Sequence, residues 1–124
     1  MTTVEIEEFA EILIQHARDP AVCASDMLFK SRGPTGKRWR ASALGGSPEA
    51  FAKAIVPDIV DRVMFYLLHA IDDGLLKLSF TASNGKTVDL ATETDGLAGW
   101  YMGSEGWRAS YAKERFVDDF ADLK

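Results

Sequence analysis

The chain holds a single cysteine, Cys23, among 124 residues. No disulfide can close within it, and no cysteine pair can supply a zinc site. It has only two histidines, His16 and His69, and neither stands in a spacing that brings three metal ligands together. No apolar run approaches the roughly 20 residues a bilayer-spanning helix needs. The opening "MTTVEIEEF" is acidic where a secretory leader is basic. A Gly-x-Ser-x-Gly nucleophile elbow is missing. "GPTGKR" fails as a phosphate loop, because a Walker A sequence needs glycine at position 31 and Ser or Thr at position 38, where Ser31 and Arg38 stand. These absences leave no motif for a cofactor or a metal. They point to a soluble, cytoplasmic, non-catalytic chain.

The length is that of one domain spanning residues 1–124. A hydrophobic content of 47% and a charged content of 27% are globular values, so a core can form without staples. The net charge is −5, unevenly spread. Five cations (Lys30, Arg32, Lys37, Arg38, Arg40) stand together without an acid, and nine cations face nineteen acids elsewhere. An acidic body makes nucleic acid an unfavourable partner, since such binding rests on neutralising phosphates. The basic stretch still offers a place for an anion.

Periodicity predicts an α+β fold, mainly helical. Thr2 and Glu5 have capping-box spacing, and Val4 or Ile6, then Phe9, Ile12, Leu13 and His16 recur at helical intervals. Asp19-Pro20 is expected to end this helix and start a short second one. Residues 31–47 read as a loop, with four glycines and a proline. Ser47-Pro48 then opens a long central helix whose apolar series is Phe51, Ile55, Ile59, Val63, Leu67 and Ile71. Pro57 is expected to kink or briefly break it, and Gly74 to cap it.

The period changes to two at Leu76. Leu78 and Phe80, then Val88 and Leu90, predict an antiparallel hairpin, 76–82 with 86–91. A two-residue turn would put its apolar residues on opposite faces. A turn over Ser83-Asn84-Gly85, with Gly85 left-handed, pairs Phe80 with Val88 and keeps them on one face. The tail, "GWYMGSEGWRASYAKERF", permits two readings: short helices from Asp95 and from Ser104, or a second hairpin around "GSEG". A final amphipathic helix through "RFVDDFADL" closes the chain.

Two groups of residues are candidate sites. In the basic stretch, Arg32, Lys37, Arg38 and Arg40 flank Trp39, donors and a ring suited to a small anionic ligand. In the tail, Trp107, Arg108 and Tyr111 are the residue types that dominate partner interfaces, while most tail aromatics must be core. His69, Asp72 and Asp73 form a third cluster at the end of the long helix, where acids oppose the helix dipole. Cys23 is expected to be a small buried residue. The function these features favour is binding of a protein partner, as an inhibitor, adaptor or toxin-neutralising protein does. The alternative is a small-molecule binder or enzyme holding an anion at residues 30–40.

Overall fold

A computed structural model describes residues 3–114; the expected last helix lies outside the described residues. Among the described residues the chain is mostly helical, with one two-stranded antiparallel sheet. Helix α1 (Val4–Leu13) starts one residue later than expected: Thr3, not Thr2, is the cap, its Oγ1 accepting from the Ile6 amide at 3.2 Å. The helix does not end at Asp19-Pro20. A π turn over Ile14–Arg18 joins α1 directly to α2 (Asp19–Leu28). The Asp19 amide donates to the Ile14 carbonyl, five residues back. Pro20 has no N–H to donate and would crowd the carbonyl four residues before it. The wider turn ahead of it lets the rod continue.

The stretch read as a loop is a correction. Pro34–Gly45 is helix α3, entered from extended Gly33 with Pro34 at its first position. Composition argued against it, but packing decides. A β-carbon on Gly36 would lie 2.6 Å from the Leu28 carbonyl oxygen and closer still to that of Ser31, so only glycine lets α3 approach the end of α2. Trp39 is 4% exposed and fixes the helix to its neighbour.

That neighbour is α4 (Pro48–Asp72), the central element. The Ser47 Oγ accepts from the Ala50 amide at 3.2 Å, and Pro48 follows the cap, as the sequence predicts. Gly74 closes the helix with φ +78°. The helix runs from Pro48 to Asp72 without a break at Pro57. Of its apolar series, Ile71 is buried, Phe51, Ile55, Ile59 and Leu67 are half-buried, and Val63 is exposed.

The hairpin has the expected register. Phe80 pairs with Val88, Ser79 with Asp89 and Thr81 with Thr87. Gly85 has φ +87°. The paired strands are shorter than expected, β1 at Ser79–Thr81 and β2 at Thr87–Asp89, although the Leu90 amide still donates to the Leu78 carbonyl. Behind the hairpin lies a core of Ala70, Ile71, Leu76 and Leu97, with Leu67, Leu78 and Leu90 packed around it.

Within the described residues of the tail, α5 (Leu97–Met102) and α6 (Trp107–Tyr111) stand where the second hairpin was the alternative. Their first residues follow Gly96 and Gly106 rather than Asp95 and Ser104. Among the described residues no helix is long and apolar enough to cross a membrane.

Candidate functional site

Three aspartates along α4 hold α3 and the tail helices against it. Asp58 holds α3: the Arg38 guanidinium donates to both its carboxylate oxygens at 3.0 Å, and the Trp39 indole N–H donates to Oδ2 at 2.7 Å. Asp61 holds the tail. It accepts from the Tyr101 hydroxyl at 2.7 Å through Oδ1 and from the Arg108 guanidinium at 2.7 Å through Oδ2. Asp72 caps α5, accepting from the Leu97 and Ala98 amides at 2.7 and 3.0 Å. The acids that conflict with the dipole of α4 at its end thus include one that serves the positive end of another helix. Asp73 pairs with His69 at 2.9 Å, four residues apart as the spacing implies. Among the described residues no three His, Cys, Asp or Glu side chains gather closely enough to hold a metal ion.

Arg108 is turned inward. Only 11% of its side chain is exposed. Besides Asp61 it donates to the Tyr101 and Met102 carbonyls, and its guanidinium lies 5.8 Å from the Tyr101 ring centre. Burial raises the Tyr101 pKa well above the ordinary tyrosine value. The hydrogen bond to Asp61 and that carboxylate's charge act in the same direction, and Arg108 opposes them. Tyr101 is therefore a neutral donor over the whole physiological range.

The candidate residues are not gathered in one place. Arg38 and Trp39 face α4, and Arg40 turns back to donate to the Phe29 and Ser31 carbonyls at 2.6 and 2.8 Å. Arg32 and Lys37 are exposed. Trp107 is half-buried against the core, whereas Tyr111 is 76% exposed. Cys23, expected to be buried, is exposed.

Trp100 is the tail residue that sequence reasoning did not single out. It is 48% exposed, and its indole N–H donates to Asp95 Oδ1 at 3.2 Å. With Glu105 it lines a hollow of about 350 Å³ whose remaining walls include Gly96, Gly99, Gly103 and Gly106. The four glycines were the available signal, because they leave the backbone bare beside a ring. Gly106 serves a second purpose: a β-carbon there would collide with the Trp100 carbonyl oxygen. A different concavity, an apolar groove of about 420 Å³, runs between α1–α2 and α4 past Leu13, Ala17, Ile59, Val63 and Leu67.

No family model matches the chain, and no match is found among curated proteins or solved structures.

Proposed function

We propose that this chain is a small, non-catalytic interaction protein of the cytoplasm that binds a protein partner through its tail, in the manner of an inhibitor, adaptor or toxin-neutralising protein. One observation carries the reading. The tail displays Trp100 and Tyr111 to solvent on short helices held in place by Asp61, Asp72 and the close approach of Gly106. Exposed aromatics on a pre-ordered surface suit an interface, because little conformational freedom is lost when they are covered. In this reading Arg108 and Trp107 hold the surface up from beneath while Tyr111 and Trp100 meet the partner. A bend in α4 at Pro57, where a backbone bond to the Lys53 carbonyl is missing, belongs to the same reading, since it lies one turn from the Asp61 anchor of the tail.

Affinity capture from a lysate of the source cell tests the proposal. Tyr111→Ala and Trp100→Ala should each weaken retention of the same captured protein by about fivefold or more, the effect of losing a contributing interface residue. Leu44→Ala, at a 91% exposed position in α3, is the control and should change nothing. Equal capture by all four proteins overturns the reading.

A second reading, a small anionic ligand, rests on Arg62. This half-buried side chain lines a cleft of about 180 Å³ with Asp58, Asp61 and Arg108 beside Leu28, Pro34 and Met102. Both carboxylates there are paired with other cations, and among the described residues Arg62 has no carboxylate of its own. A rise in melting temperature with phosphate, lost in Arg62→Ala, would favour it.

A further inference from the structure

We infer that the Trp100 hollow receives a cationic side chain, lysine or arginine, from the protein partner; the inference rests on the tail-binding reading above and names the group that the tail recognises. The hollow carries two carboxylates, Asp95 and Glu105, and no cation among its lining residues. Its only side chain of any size besides these is the indole of Trp100. An aromatic ring beside negative charge is a combination that attracts an organic cation, by direct Coulomb attraction and, over the ring face, through the quadrupole.

The geometry supports insertion of a side chain rather than apolar contact alone. Trp100 is held by its own edge: the indole N–H is taken up by Asp95, so the ring is oriented before anything binds. The floor is backbone. A β-carbon added at Gly96 or at Gly99 would meet nothing within 4 Å, so the space directly above those two α-carbons is open. A long, thin stem can lie along it with its charged end between the acids. The hollow is wide open to solvent, and its volume of about 350 Å³ leaves room for an extended side chain to lie along it. Both acidic residues are exposed, and one oxygen of Asp95 is shared with the indole N–H. The protein as a whole, at net charge −5, draws a basic partner toward it.

The test is direct titration followed by NMR on the whole chain. The probes are N-acetyl-lysine amide, N-acetyl-arginine amide, the uncharged isostere N-acetyl-norleucine amide, and tetramethylammonium. The expected result is saturable movement of the Trp100 indole N–H and of the Gly99 and Gly103 amides with the lysine or arginine probe, and none with norleucine. Glu105→Gln and Asp95→Asn remove charge while keeping shape, and the side-chain carbonyl introduced by Asp95→Asn can still accept from the indole. Each should weaken the probe by about threefold, as loss of one exposed charge does. Norleucine binding as well as lysine, or no saturation with either cation, overturns the inference. Saturation by tetramethylammonium alone overturns it too, because the site would then serve a free small cation.

The same variants separate this inference from the reading it rests on. If capture of the cellular partner is weakened by Tyr111→Ala but not by Glu105→Gln and Asp95→Asn together, the tail is the interface and the cation hollow is not part of it. If none of these variants alters capture, both fall.

Discussion

Asp61 and Arg108 meet at 2.7 Å across 47 residues of chain, with 17% and 11% of their side chains exposed. A pair this dry is worth little against an apolar replacement, yet costly to break from one side. Arg108→Ala would leave the half-buried Asp61 carboxylate with Tyr101 as its donor among the described residues, and would release the Tyr101 and Met102 carbonyls. Expected is a loss of about 3 kcal/mol in chemical denaturation. The double variant Arg108→Met with Asp61→Leu should recover part of it. Equal stability of Arg108→Ala and wild type would mean the pair contributes nothing.

Tyr101 sets the behaviour at high pH. Its folded pKa lies above the unfolded value of about 10. A group raised in this way contributes fully below its unfolded pKa, and that contribution is lost as the pH climbs toward the folded one. Stability should therefore fall above about pH 10, and fall less steeply in Tyr101→Phe. Parallel pH curves for the two proteins from about pH 9 to 11, the range around the ordinary tyrosine pKa, would show that Tyr101 does not govern this limb.

Two glycines in α3 should respond in opposite directions. Gly36→Ala forces a methyl against the Leu28 and Ser31 carbonyls. Backbone cannot retreat cheaply, so about 2–3 kcal/mol should be lost, as overpacking costs. At Gly45 an added β-carbon meets nothing within 4 Å, and Gly45→Ala should gain up to about 0.5–1 kcal/mol. Thermal melts of both variants check the contrast.

Asp72→Ala removes the cap of α5. The Leu97 and Ala98 amides lose their acceptor, which should cost about 1–2 kcal/mol. Faster hydrogen exchange at those two amides, with the hairpin amides unchanged, is the local signature.

Gly85 has open space around its α-carbon and φ +87°. Gly85→Val should destabilise by about 1–2 kcal/mol from backbone strain alone, and Gly85→Asn by much less. A wild-type melting temperature for the valine variant would contradict the left-handed turn.

What the sequence made legible was local. The Phe80–Val88 register followed from one apolar face and one left-handed residue, and the Ser47 cap and Gly74 stop are short-range signals. Helix α3 was hidden because its reasons are distant: Trp39 and Arg38 reach Asp58 nineteen and twenty residues away, and Gly36 needs Leu28 beneath it. The inward turn of Arg108 was hidden for the same reason. So was the second use of Asp72, whose conflict with its own helix is resolved only by α5. The Trp100 hollow combined both cases: its glycines were visible, but not that they leave one ring uncovered while Trp107 packs inside.

The π turn at Ile14–Arg18 works as a phase shifter. One extra residue is taken up there without ending the rod, so α2 is turned by about 100° from where an uninterrupted α-helix would carry it. That setting leaves Ala17 and Ala21 buried, both on the groove that Ile59 and Val63 line from the other side. Winding the same residues as plain α-helix would carry Ala21 about 100° out of its place, whereas deleting one residue from the turn would restore ordinary winding and leave Ala21 where it is. The frame in which the first helical rod meets α4 is thus counted out in residues, and the π turn absorbs the one residue that a plain α-helix of the same phase would not hold.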